Sequence, residues 1–337
     1  MFVSFAIVAY NEEASLPALL QDLCRQDYPH EKVEVLLIDS MSTDATWQIM
    51  EDFAAQDNGF ARVVTLKNPR KSIPCGHNVA IRHYTGEALV RVDAHASIPE
   101  DFIRKNVSVL EGGEMASGGR RPNIITDPTP WKETLLIAEQ SMFGSSIASY
   151  RRSRKKMYAK SLFCGMYRRE VYDKVGLYNE LLPRAEDNDM TWRVRQAGYR
   201  LCYDPDIVFY QHTRSSLKSM LRQKYLNGYW IGKAMGINPH CFSLFHFVPF
   251  AFVMGILLTT VLALCGFPQL AWLMWGAYVL LVLGVSVTEI VRRPFSPTNL
   301  LLPVLFFLLH VSYGVGTLVG LLEMPFWVRK VKDRQFT

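Results

Sequence analysis

Hydrophobic positions along the chain fall into two regimes. Over the first ninety or so residues, short apolar runs alternate with amphipathic stretches; beyond residue 233 they fuse into long uncharged segments. Phe2 to Tyr10 is a nearly continuous apolar run, the pattern of a parallel strand covered on both faces. After Asn11-Glu12-Glu13, residues 15–25 carry Leu16, Leu19, Leu20 and Leu23 at helical spacing. The alternation continues with a predicted strand over 33–38, a helix over 45–55, a strand over 61–66, a helix over 78–84 and a strand over 87–92. Strand and helix in regular turn predict an α/β domain built on a mostly parallel sheet.

Past Pro99 the periodicity loosens. Residues 131–149 have helical spacing, an amphipathic helix follows Gly165, and a further helix is expected over 191–197. Short strands are expected over 199–204 and 207–210, with His212 directly after them. A basic, aromatic helix carrying Arg222, Lys224, Tyr225 and Trp230 then leads into the apolar region.

No Asp, Glu, Lys or Arg occurs from Ala234 to Thr288 or from Pro294 to Leu322. One membrane span takes about 20 apolar residues, so the first gap holds two and the second holds one. The expected hydrophobic segments lie near 242–266, 269–290 and 299–323, giving a front domain over 1–232 and a membrane domain over 233–337. With a cytosolic front domain, Arg292 and Arg293 fall inside, but a plain third span would place Arg329, Lys330, Lys332 and Arg334 outside, against the positive-inside rule. Pro303, Gly314, Gly316, Gly320 and Pro325 interrupt that stretch, so a bent or re-entrant segment with a cytosolic C-terminus is expected. The string Gly314-Val315-Gly316 reads as small-residue helix packing rather than a nucleotide loop, and no P-loop is present.

Composition sharpens this picture modestly. The chain is 49% hydrophobic with a mean hydropathy of +0.05, an excess explained by the uncharged segments. A net charge of +6 gives no case for nucleic acid and suits a surface near lipid. Six cysteines without a C-x-x-C pair argue against a zinc site or disulfide framework and suit a reducing compartment. The apolar run at the N-terminus is short and lacks a basic leader, so the front domain is expected to stay cytosolic.

The candidate chemistry sits at strand ends. The stretch Ala88 to Pro99 delivers Asp93 and His95 to the carboxyl edge of a strand, where ligands bind in open α/β sheets. Tyr10 offers an aromatic face for a base, Glu12 and Asp39 offer acceptors for base or ribose hydrogens, and Asp93 offers hard oxygen for a divalent cation. Downstream, Glu186, Asp187 and Asp189 crowd three acids into four positions, more than helix capping needs. Arg151, Arg152, Arg154, Lys155 and Lys156 form a basic run that reads either as a solvated face or as a contact for anionic headgroups.

The order V-A-Y-N-E-E, L-I-D-S-M-S-T-D, G-E-A-L-V-R-V-D-A-H, a glycine loop, E-D-N-D and a late His resembles inverting family 2 glycosyltransferases of the GT-A fold over about residues 1–230. Within them it looks most like the membrane-bound sugar transferases of bacterial exopolysaccharide assembly, the succinoglycan-biosynthesis ExoA type. The resemblance implies a Rossmann-like GT-A domain followed by C-terminal transmembrane helices. It implies that Tyr10, Glu12 and Asp39, with Asn78 and Asp93, hold the nucleotide-sugar, and that Asp93 binds Mg2+ or Mn2+. His95 stands where the family carries a second acid, and His212 matches a late His that helps hold metal or diphosphate. Asp187 matches the general base, with Glu186 beside it; Arg151, Arg152, Arg154, Arg222, Lys224 and Trp230 would face acceptor and lipid.

The implied reaction is inverting transfer of a hexose, glucose expected, from a UDP-sugar to a polyprenyl-diphosphate-linked saccharide at the bacterial inner (plasma) membrane, with the catalytic domain cytosolic. The rival enzyme is a polyprenyl-phosphate sugar synthase, and the rival of another class is a non-catalytic nucleotide-binding membrane scaffold. The acid cluster at Glu186 to Asp189 favours a hydroxyl acceptor.

Overall fold

A computed structural model of the protein describes residues 1–144, 153–213 and 216–335. Its first elements alternate as the apolar pattern predicts: β1 (Val3–Ala9), α1 (Leu16–Cys24), β2 (Val33–Asp39), α2 (Thr46–Ala55), β3 (Arg62–Lys67), α3 (Ile73–His83) and β4 (Ala88–Asp93). There follow β5 (Ala96–Ser97), α4 (Phe102–Glu111), β6 (Ala116–Arg120), β7 (Asn123–Ile124) and α5 (Pro130–Gln140). Next come β8 (Met157–Ala159), β9 (Met166–Arg168), α6 (Arg169–Val175), α7 (Glu186–Gln196), β10 (Leu201–Val208) and β11 (Tyr210–His212). The helices α8 (Leu217–Ala234), α9 (Val248–Leu264), α10 (Pro268–Val291) and α11 (Leu302–Gln335) complete the chain. The described residues form two compact units, one from Met1–Ile124 and Tyr150–His212, the other from Ile125–Ser149 and Thr213–Thr337.

In the first unit, an eight-stranded sheet runs in the order β3-β2-β1-β4-β9-β6-β10-β8. The β3, β2, β1 and β4 strands are parallel, whereas β9 is antiparallel to both β4 and β6. Alternation along β1 sends Phe5 and Ile7 into the apolar cluster on one face and Ala6 into the cluster on the other. A second sheet, β5-β11-β7, carries His212 within β11 rather than after it. The β6 strand reads Ala-Ser-Gly-Gly-Arg and gives no apolar signal. Its glycines are needed because β10 approaches closely: a Cβ at Gly119 would lie 1.9 Å from the Ile207 carbonyl oxygen.

Three helical stretches of the second unit, Leu244–Leu264, Pro268–Val291 and Pro297–Val331, are long and apolar enough to cross a membrane. Gly316 and Gly320 of α11 meet the backbone of Tyr225 and Tyr229 on α8, where a Cβ would sit 2.1 Å from either carbonyl oxygen. The glycine string is therefore close-packing surface between helices, as its composition suggested. The stretch expected to be bent or re-entrant is one continuous helix, with Pro303 in its first turn, where a missing N–H costs nothing, and Pro325 in its interior. The second unit takes in Ile125–Ser149 and α8, both ahead of the sequence division at residue 232, and α8 lies along α11.

Candidate active site

Parallel register brings the candidate strand ends to one edge. Ala9 of β1 pairs with Asp39 of β2, Val8 pairs with Asp93 of β4, and Asp39 pairs with Lys67 of β3. Beyond β1 and β2 the chain turns sharply through left-handed residues, Asn11 (φ 54°) and Met41 (φ 62°). The two loops are then laced together. Asn11 Oδ1 accepts from Thr43 N at 2.8 Å, Glu13 Oε2 from Ala45 N at 2.9 Å, and Glu12 N donates to Thr46 Oγ1 at 2.8 Å. Tyr10, next to this brace, is half exposed at 50%.

Next to the brace lies a cleft lined by Arg91, Asp93, Arg121, Phe163, Cys164 and Asp187. Asp93 is exposed at the end of β4, while Arg91, two residues earlier on the same strand face, is buried. Arg91 Nη2 donates to Asp187 Oδ1 at 2.6 Å, and Nη1 lies 2.7 and 2.8 Å from the ring nitrogens of His77. The three clustered acids are not ahead of a helix but within the first turn of α7, where the helix dipole favours negative charge. Their environments differ. Glu186 is buried with Oε2 unpartnered, and burial, then the neighbouring Asp187, pushes its carboxyl well above the usual range. Asp189 is held by its own helix through Arg193 Nε at 2.8 Å. Of the three acids only Asp187 lines the cleft. Burial also pushes the Cys164 thiol up, which makes it a lining group rather than a nucleophile.

Other predicted site residues are placed differently. The Asp39 carboxylate is buried, accepting from Ser42 N at 3.0 Å and from Lys67 Nζ at 3.1 Å, with Lys67 also over the Trp47 ring. His95 Nδ1 lies 3.1 Å from Glu12 Oε1, joining the two nominal ligand groups to each other. His212 Nε2 lies 3.2 Å from Ser97 Oγ on the small sheet. Among the described residues no three His, Cys, Asp or Glu side chains converge as a metal-binding group, so Asp93, His95 and His212 are not assembled into one. Asn78 is a buried brace: Nδ2 donates to the Tyr178 carbonyl at 3.0 Å and Oδ1 accepts from Tyr178 N at 2.8 Å. Lys224 is also buried, donating to Glu139 Oε1 at 3.1 Å, whereas Arg154 and Arg222 are exposed and Trp230 is partly buried. Arg151 and Arg152 lie outside the described residues.

Sequence reasoning missed Arg91, His77, Arg121 and Lys67. For Arg91 the signal was present: a charged residue inside a strand otherwise composed for burial is there for a partner.

The family model for glycosyl transferase family 2 matches residues 4–176, just over half of the chain. The chain belongs to glycosyl transferase family 2. It is similar over nearly its whole length to two curated relatives. One is the Methanococcus voltae dolichyl N-acetyl-alpha-D-glucosaminyl phosphate 3-beta-D-2,3-diacetamido-2,3-dideoxy-beta-D-glucuronosyltransferase, 24% identical over 96% of this chain and 98% of that protein. The other is succinoglycan biosynthesis protein ExoA of Rhizobium meliloti, 25% identical over 92% of each. Among solved structures, the mannosyltransferase PcManGT from Pyrobaculum calidifontis, in complex with GDP-Man and Mn2+, aligns with a TM-score of 0.62 at 19% identity, covering 94% of this chain and 87% of that one. That likeness establishes the fold as GT-A-like, and the family establishes the protein as a glycosyltransferase.

The site's donor set fits a divalent cation of the hard class. Asp93 presents carboxylate oxygen to the cleft without a closed protein cage. That is how Mg2+ or Mn2+ is held when waters and phosphate oxygens complete its shell.

Proposed function

We propose that the protein transfers a hexose, glucose expected, from a UDP-sugar with inversion to a polyprenyl-diphosphate-linked saccharide. The observation that carries this reading is the pairing of roles in one cleft: exposed Asp93 at the end of β4, and Asp187 gripped through one carboxylate oxygen by Arg91. Tyr10 stacks on the base, while the Glu12 loop and the Asp39 strand end shape the nucleoside pocket. Asp93 would hold Mg2+ or Mn2+, whose charge offsets the negative charge gathering on the departing nucleoside diphosphate. Asp187 takes the proton from the acceptor hydroxyl as that oxygen attacks the sugar carbon from the face opposite the leaving group. Glu186 is buried beside Asp187, and burial, then the Asp187 charge, pushes its carboxyl up.

Catalysis is assigned to the part of the chain before residue 233 and anchoring to residues 233–337, in the bacterial plasma membrane with the catalytic domain cytosolic. Arg151, Arg152, Arg154 and Arg222, with Trp230, are assigned to the acceptor and lipid side. Similarity along its whole length to an enzyme named for a sugar acceptor on dolichyl phosphate supports a lipid-carried saccharide over the bare lipid phosphate.

Membranes containing the protein, incubated with individually labelled UDP-sugars and then extracted for lipid-linked products, test this reading. One UDP-sugar should label a lipid-linked oligosaccharide that is released by mild acid and longer than its precursor. A labelled monosaccharide on polyprenyl phosphate would mean the synthase reading instead, and UDP binding with no labelled product would mean the scaffold.

His95→Asp is expected to restore an acid where His95 now meets Glu12, strengthening Mn2+-dependent UDP binding measured by calorimetry. Unchanged Mn2+ dependence would remove position 95 from the metal's surroundings.

A further inference from the structure

A buried arginine in the middle of a sheet demands compensation, because taking its charge out of water costs several kcal/mol that only well-placed partners return. Arg91 has three. Nη2 bonds Asp187 Oδ1 at 2.6 Å, Nη1 lies within 2.8 Å of both His77 ring nitrogens, and the guanidinium carbon stands 4.6 Å from the centre of the Tyr178 ring. Each partner is itself restrained. Burial, then Arg91, holds His77 well below the ordinary histidine range, so its imidazole stays neutral and accepts. Tyr178 is fixed through both backbone groups by Asn78, the next residue along α3 from His77. The supports of Arg91 thus come from one helix and the loop it braces, and its outward nitrogen meets the acid that lines the cleft.

We propose that Arg91 is a positioning residue for the transfer reaction: braced by His77 and Tyr178, it grips Asp187 by Oδ1 and so presents Oδ2 to the acceptor hydroxyl. This rests on the reading of Asp187 as the proton acceptor. The planar fork is shared between two partners, Nη1 toward His77 and Nη2 toward Asp187, and this fixes where the guanidinium meets the carboxylate. Misdirection of a base by an ångström is costly in turnover while leaving substrate binding alone.

The test uses the full-length protein in detergent, with UDP plus Mn2+ as the binding probe and transfer from labelled UDP-glucose to a lipid extract as the turnover assay. If another labelled UDP-sugar proves the active donor, that one is used. Arg91→Lys keeps the charge and loses the fork. It should lower kcat by about 10-fold or more with UDP affinity and donor KM unchanged. Combined with Asp187→Asn, it should cost nothing beyond Asp187→Asn alone, because the two residues act as one unit. In Arg91→Ala, added methylguanidinium should restore part of the lost turnover. Wild-type kcat in Arg91→Lys, or losses that add to those of Asp187→Asn, would overturn the proposal. So would loss of UDP binding alongside turnover, which marks a residue that merely holds the sheet. If Arg91→Ala does not fold, the lysine variant and the double mutant decide. Full turnover in Asp187→Asn by itself would defeat the reading of the base, an outcome distinct from any result at Arg91.

Discussion

Asp187→Asn is expected to lose about 10²-fold or more in transfer while binding UDP as the native protein does, since general-base groups typically contribute that much. The substitution removes one charge and almost no volume. The amide oxygen still accepts from Arg91, so the cleft keeps its shape and only proton acceptance is deleted. The neighbouring acids are placed differently. Glu186 is buried with its carboxyl pushed well above the usual range, and Asp189 is tied to Arg193 on its own helix. Product formation at saturating donor, alongside UDP calorimetry, checks the prediction. Near-native turnover would move the base away from Asp187, with Asp189 the next candidate.

Asp93→Ala should abolish metal-dependent donor binding and lower transfer by about 10²-fold or more, as expected when several kcal/mol of leaving-group charge stabilisation is lost. Asp93 is exposed at a strand end, so its truncation leaves the core intact. Calorimetry of UDP with Mn2+ and with chelator separates the effect from misfolding: the variant should resemble the chelated native protein. Activity indifferent both to chelator and to this substitution would refute a metal at Asp93.

These expectations draw on residues that were legible to different degrees. Asp93 could be found because its position is a local property: an apolar β-favouring run ends, and an acid follows. Asp187 stood out by crowding alone, but crowding could not say which of three acids faces the cleft. Burial of Glu186 and the i,i+4 pairing of Asp189 decided that. Asn78, expected from sequence near the nucleotide-sugar, is bonded to both backbone groups of Tyr178, 100 residues away. His95, expected as a metal ligand, has Glu12 Oε1 3.1 Å from its Nδ1, a contact no local stretch announces.

By itself the sequence determined the parallel strands, the edge at which Tyr10, Asp39 and Asp93 emerge, and the three apolar stretches able to cross a membrane. Those features follow from hydrophobic period and run length, which are written over a few consecutive residues. Tertiary structure alone decided the glycine strand β6, whose reason lies in the close approach of β10, and the use of the α11 glycines, with Gly316 and Gly320 set against α8 and Gly314 against α9. It alone decided the union of His77, Arg91 and Asp187, which joins a helix, a strand and the start of another helix across 96 residues between Arg91 and Asp187. Such partnerships arise when a buried charge must find its counter-charge across a packed sheet. Which residue answers it is set by register and packing, neither of which any local stretch of sequence contains.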